Sequence, residues 1–241
     1  MPMGEASLSK KEQIYIDYFN ALMSEVRQAN IHFQIWKALA EATNKYNAEL
    51  NEARVFFAST IYAHLKSSIT HACKLIDEHP DALSILKFLN FVENNLEIFS
   101  TERFTQRIRN REHVESLIER HIPVTSQMIV KDRRKLKSLE SVRKRLVLWR
   151  NKREAHLDIK ELSSNLIEKC PISVTKFKEL ILTCACILEH YSAAYNGTIH
   201  SLEVIGKEDW KNVLEAIKYR RNAEVQKAQP VKFNWLYSIR T

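Results

Sequence analysis

Glycine appears three times and proline five times in 241 residues. Tight turns between strands lean on such residues, so their scarcity, beside abundant Ala, Leu, Glu, Lys and Arg, predicts an all-α chain. It also excludes the two common backbone cradles for nucleotides. Neither a G-x-x-x-x-G-K-[ST] loop nor a G-x-G-x-x-G turn is formed around Gly4, Gly197 or Gly206. Any phosphate must therefore meet side chains. The four cysteines, Cys73, Cys170, Cys184 and Cys186, contain no C-x-x-C pair. This argues against a disulfide frame or structural zinc and reads them as small core residues. There is no G-x-S-x-G elbow and no H-E-x-x-H. The longest nearly apolar run, Leu180 to Leu188, is about half of the roughly twenty residues a membrane helix needs. Met1 to Lys10 is polar and lacks the apolar stretch of a secretion signal. A cytoplasmic protein with no membrane contact, no metal and no cofactor is expected.

What the chain has is positive charge in one place. Eleven Lys and Arg lie between Lys131 and Arg153 against only Asp132 and Glu140, a surplus of nine in a chain whose net charge is +8. Such a stripe attracts polyanions by releasing their condensed counterions, and RNA or DNA is the usual partner. The competing reading is a solvated helix face.

Apolar spacing outlines the helices. Ser9 with Glu12 forms a capping box, after which Ile14, Tyr18, Leu22 and Val26 recur every four residues. This helix either continues or bends near Asn30 into Phe33, Trp36, Leu39 and Ala40. A second helix is predicted over about Asn51 to Asp77, on a stripe of Ala58, Tyr62, Leu65, Ile69, Ala72 and Ile76. Asp81 is the expected cap of a short helix over Ala82 to Phe91, and another is expected near Glu112 to Arg120; Arg103 to Arg111 is too polar to place. The basic stretch, about Arg133 to Arg153, carries Leu136, Leu139, Val142, Leu146 and Trp149 on its inner face. Phe177, Ile181, Cys184, Leu188, Tyr191 and Tyr195 form the next stripe. A last helix, Asp209 to Gln226, leads into a tail whose Phe233, Trp235, Leu236 and Tyr237 are apolar enough to dock on the bundle or a partner. The expected architecture is an up-and-down bundle over residues 1–200, with a C-terminal helix and apolar tail over 201–241.

One segment reads as chemistry. Residues 149 to 158 are Trp-Arg-Asn-Lys-Arg-Glu-Ala-His-Leu-Asp, which sets a permanent cation (Arg150), an amide (Asn151) and a group titrating near neutrality (His156) close together. On an unbroken helix, residues six apart are turned about 120° and separated by about 9 Å, so one chain would not aim Arg150 and His156 at a single phosphate. Two chains about a twofold axis could. Within one chain the alternative is Arg153, three residues before His156. His64 and His71 share a helix face seven apart but have no carboxylate assigned from sequence, and read as core or groove histidines.

These residues carry a resemblance. Phe33 to Asp77, with Trp36, the paired Phe56 and Phe57, and Leu75-Ile76-Asp77, then Ser84 to Phe91, then Trp149 to Asp158, resemble the abortive-infection (AbiU-like) branch of the HEPN superfamily, the higher eukaryotes and prokaryotes nucleotide-binding domain. The likeness spans roughly residues 12 to 195. The family signature, an Arg, often a polar residue directly after it, and a His after four to six intervening residues, falls on Arg150, Asn151 and His156. The resemblance implies a dimerising helical bundle that cuts RNA without a metal, as a toxin or in antiviral defence. Arg150, Asn151 and His156 would be catalytic. Lys152, Arg153, Arg143, Lys144 and Arg145 would hold the flanking RNA backbone. The implied partners are RNA (tRNA or mRNA), a second copy, and a cognate antitoxin or regulatory protein. Members modified by a partner nucleotidyltransferase carry Tyr two residues after the His; Asp158 stands here, so that regulation is not implied. Two other readings remain open: a catalytically silent bundle that binds nucleic acid or a partner protein, and an assembly protein whose apolar tail is its working part.

Overall fold

A computed structural model of the chain describes residues 8–151 and 171–224. The described residues are helical and contain no strand. The first helix, α1 (Lys10–Ala42), starts as its cap requires: Ser9 Oγ accepts from the Glu12 backbone N–H, and Glu12 returns a bond to the Ser9 N–H at 2.9 Å. It runs without a break through Asn30, whose side-chain amide donates to the Leu202 carbonyl at 2.8 Å. Of the two sequence expectations, continuation is the outcome.

The predicted second helix is divided. A short α2 (Asn47–Glu52) ends at Ala53, whose φ of −134° and ψ of 55° are not helical, and α3 (Arg54–Leu75) follows. The next helix, α4 (Ile85–Glu93), starts after extended Ser84, three residues later than expected from Asp81. After a 3-10 turn (Leu96–Phe99), the polar stretch that resisted placement is α5 (Thr101–Ile108), capped by Ser100 and anchored inward by Phe104 and Ile108. Then come α6 (Val114–Glu119) and α7 (Ser126–Ser138), and Thr125 caps α7 by accepting from the Met128 N–H. The basic stretch, read as one helix, is two: Leu139 breaks the ladder before α8 (Glu140–Trp149). Helix α9 (Val174–Asn196) ends at Gly197, whose φ of +72° is a left-handed conformation that favours glycine. Last is α10 (Asp209–Glu224).

Helices α1 and α3 form the main antiparallel pair. Glu25 meets His71 while His32 meets His64, so seven residues forward on α1 correspond to seven back on α3. Ser68 sits between those layers, buried, and donates to the Ala29 carbonyl at 2.9 Å. The core beneath is aromatic: the Tyr15 ring lies 4.3 Å from Tyr195, 5.3 Å from Phe99 and 5.8 Å from Phe88, centroid to centroid. A second, smaller cluster of Ala42, Tyr46, Leu50, Phe57 and Leu214 seats α10 on α2 and the start of α3. Cys73 and Cys184 are buried as expected, and burial pushes both thiols up to about 12. Cys186 corrects the core reading of the cysteines, because it faces out of α9 and is exposed.

Candidate active site

Arg150 sits where α8 stops being a regular α-helix. Leu146 and Trp149 are buried and pin the helix end, and Arg150 and Asn151 continue it as a π-helical turn. The Arg150 Nε donates to Asn151 Oδ1 at 3.0 Å, and Nη1 donates to Asp77 Oδ2 at 3.1 Å. A guanidinium has five N–H donors. Among the described residues two are used, and the side chain is only half-buried. Asn151 is exposed and holds the arginine's ε-nitrogen. His156, Lys152 and Arg153 lie outside the described residues.

Asp77 closes the second helix expected from sequence, with no partner assigned to it there. In the fold it follows α3 and accepts from the His79 N–H at 2.9 Å as well as from Arg150. The His79 bond first, and the Arg150 bond against a counteracting burial, hold its carboxyl below the usual carboxylate range. It therefore faces Arg150 as an anion at neutral pH. Neighbouring Glu78 pairs with Arg143 at 2.7 Å. No local pattern signals either pairing, since more than sixty residues separate the partners. Between Asp77 and Glu25 lies a pocket of about 260 Å³ whose walls include Leu22, Lys74 and Leu83.

The remaining expected RNA contacts differ in availability. Arg143 also binds Glu140 through two nitrogens, at 2.6 and 2.7 Å, so its guanidinium is largely committed to carboxylates. Lys144 is exposed, with Glu140 3.5 Å away. Arg145 is exposed and donates to the Pro171 carbonyl at 2.7 Å.

The histidines noted in sequence have partners that sequence did not assign. His71 Nδ1 lies 2.6 Å from Glu25, which Lys74 also contacts at 3.0 Å. His64 Nδ1 lies 2.8 Å from His32 Nδ1, and the His32 ring is parallel to His71 at 5.8 Å. Two imidazoles so close through the same nitrogen share one proton, so at least one is neutral. Burial first, then the neighbouring His64 and His71, lower the His32 pKa; burial lowers that of His64. Among the described residues no three His, Cys, Asp or Glu side chains are grouped to hold a metal ion, and no helix is long and apolar enough to cross a membrane.

No curated protein and no solved structure matches the chain. A family model does. The helical frame is the one the sequence resemblance implies. The AbiU2 model of the HEPN superfamily matches residues 12–215, all but the two ends, and the chain belongs to that family.

Proposed function

We propose that the protein is a metal-independent endoribonuclease of the toxin or abortive-infection type. An RNA 2′-hydroxyl attacks the adjacent phosphorus, the P–O5′ bond breaks, and a 2′,3′-cyclic phosphate and a 5′-hydroxyl are left. His156 moves the protons, taking one from the 2′-oxygen or giving one to the departing 5′-oxygen. Arg150 stabilises charge gathering on the non-bridging phosphoryl oxygens, where a planar fork can donate twice. Asn151 and Asp77 preorganise that fork through Nε and Nη1. Lys144, Arg145, Lys152 and Arg153 hold the flanking backbone, and Arg143 joins them when phosphate displaces Glu78. Two copies about a twofold axis supply one composite site with two histidines, one for each proton transfer.

The observation that carries this reading is the state of Arg150: half-exposed, oriented by two acceptors, and with three of its five donors uncommitted among the described residues. The test is cleavage of a labelled RNA pool in excess EDTA by wild type, Arg150→Ala and His156→Ala, each checked for retained helicity. Cyclic-phosphate ends from wild type, and losses of at least about a hundredfold in both variants, support the reading. Wild type that binds RNA and leaves it intact sinks it in favour of a binding module.

A further inference from the structure

The basic stripe does not present its cations equally. Arg133 is tied to Asn90 and Glu93 at 2.7 and 2.8 Å, and Lys135 to buried Asp132 at 2.7 Å. Arg143 is bound by Glu140 and Glu78, Lys144 lies 3.5 Å from Glu140, Arg145 is bound by a carbonyl and Arg150 by Asp77. Three described cations are left over. Lys131, Arg134 and Lys137 are exposed and make no ion pair or side-chain hydrogen bond among the described residues. All three lie on α7. At 100° per residue they share an arc of about 120° with Gln127 and Val130, opposite the buried Ile129 and Asp132.

The surface they form is shaped as well as charged. A shallow groove of about 570 Å³ is lined by Ser126, Gln127, Val130, Lys131 and Arg134. It begins at the first turn of a 13-residue helix that has no acidic residue there. The amides of that turn add a partial positive charge to the same face. Cations left without carboxylates gain most from an anion that brings charge at regular intervals.

We infer that the outer face of α7, with Lys131, Arg134 and Lys137, is a docking surface for the phosphate backbone of single-stranded RNA, separate from the Arg150 end of α8. The inference rests on the reading of the substrate as RNA. Sixteen residues separate Arg134 from Arg150, at most about 24 Å along two helices at 1.5 Å per residue. RNA engaging both ends therefore spans up to about that length beyond the scissile bond. Contact is through phosphates, so it positions the strand and is indifferent to base sequence.

The experiment measures binding of a labelled 20-nucleotide single-stranded 2′-O-methyl RNA, which cannot form the cyclic phosphate, across a salt series. It compares wild type, Lys131→Glu/Arg134→Glu/Lys137→Glu and a milder all-Gln triple. A control triple with the same charge change elsewhere, Lys10→Glu/Lys178→Glu/Lys207→Glu, completes the set. About 0.7 in the slope of log K against log salt is lost per phosphate contact. The α7 variants are expected to lower the slope by about 2 and to weaken binding about a hundredfold at 0.1 M salt, with the difference shrinking toward 1 M. The control is expected to keep the wild-type slope. An unchanged slope in the α7 triples overturns the inference, and so does an equal loss in the control, which would mean net charge alone is at work. The two proposals fail separately: RNA left intact but bound through α7 defeats the nuclease, whereas RNA cut with no α7 dependence of binding defeats the docking surface.

Discussion

Arg107 and Arg150 each join distant parts of this chain to a carboxylate, and they are used in opposite ways. Arg107 on α5 meets Glu12 on α1 at 2.6 Å and also donates to the Ile98 and Tyr195 carbonyls at 2.6 and 2.9 Å; its guanidinium carbon lies 3.8 Å from the Tyr195 ring centre. Its side chain is 11% exposed and that of Glu12 5%. Among the described residues Arg150 has one carboxylate and one neighbouring amide as partners, and it and Asp77 are 28% and 26% exposed. A buried guanidinium with four of its five donors committed ties helices together and has little left to offer a ligand. A half-open one costs the fold little to keep and retains donors for a phosphate. Residue type and charge are the same in both; the number of donors already committed separates tie from site.

The sharpest way to break this comparison is Arg107→Ala. It leaves Glu12 buried without its partner and should lower unfolding free energy by about 3–5 kcal/mol in urea or guanidinium titration. Arg107→Lys should recover only part, because an ammonium cannot serve the same fork of acceptors. Loss of less than about 1 kcal/mol would show that Arg107 is no tie.

Next in size is Tyr191→Phe. The Tyr191 hydroxyl donates at 3.1 Å to Asp132, which is buried on the inner face of α7 and also binds Lys135. Removing a hydrogen bond to a charged acceptor should cost about 1.5–3 kcal/mol. For Arg150→Ala and Asp77→Asn the expected stability change is at most about 1 kcal/mol, as for exposed ion pairs. A larger loss would place Arg150 with Arg107 among the ties.

The smallest expected effect is on pH dependence. Both His32 and His64 have pKa values below the ordinary 6.5. The unfolded chain therefore takes up protons first as pH falls. The stability these histidines allow is fully present above about 6.5 and is lost as pH drops from there through their lower folded values. The carboxyls act in a separate, more acidic window. Burial alone would raise Glu12, but bonds from Ser9 and Arg107 outweigh it and hold the pKa below 4.5. That contribution persists above 4.5 and fades below it. Denaturation midpoints at pH 8, 7, 6 and 5 should decline toward acid for wild type and flatten between 7 and 5 in His64→Gln. Parallel profiles would remove the shared-proton pair from the account.

Much of the fold was legible because it follows from local pattern. The capping box at Ser9 and Glu12, the α1 stripe, the stripe from Phe177 to Tyr195 and the glycine that ends it each depend on residues within a turn or two. Breaks were less legible. Ala53 and Leu139 are ordinary helix formers, and both helices end there although the local sequence predicts continuation. The α5 stretch was obscured by its charge: one of its arginines, Arg107, is the buried tie.

At the site the division is similar. Arg150 and Asn151 are visible as a motif, because the polar residue follows the arginine directly. Asp77, 73 residues earlier, is not, nor are Glu25 and His32 as partners of His71 and His64. Composition and periodicity determined that this chain is helical, that its charge is concentrated between residues 131 and 153, and where its reactive residues fall. Tertiary structure decided which of those charges are neutralised, since an ion pair across the fold needs only proximity in space and leaves no spacing in sequence. That choice left Lys131, Arg134 and Lys137 exposed on α7, committed Arg107 to the core, and kept Arg150 half-open.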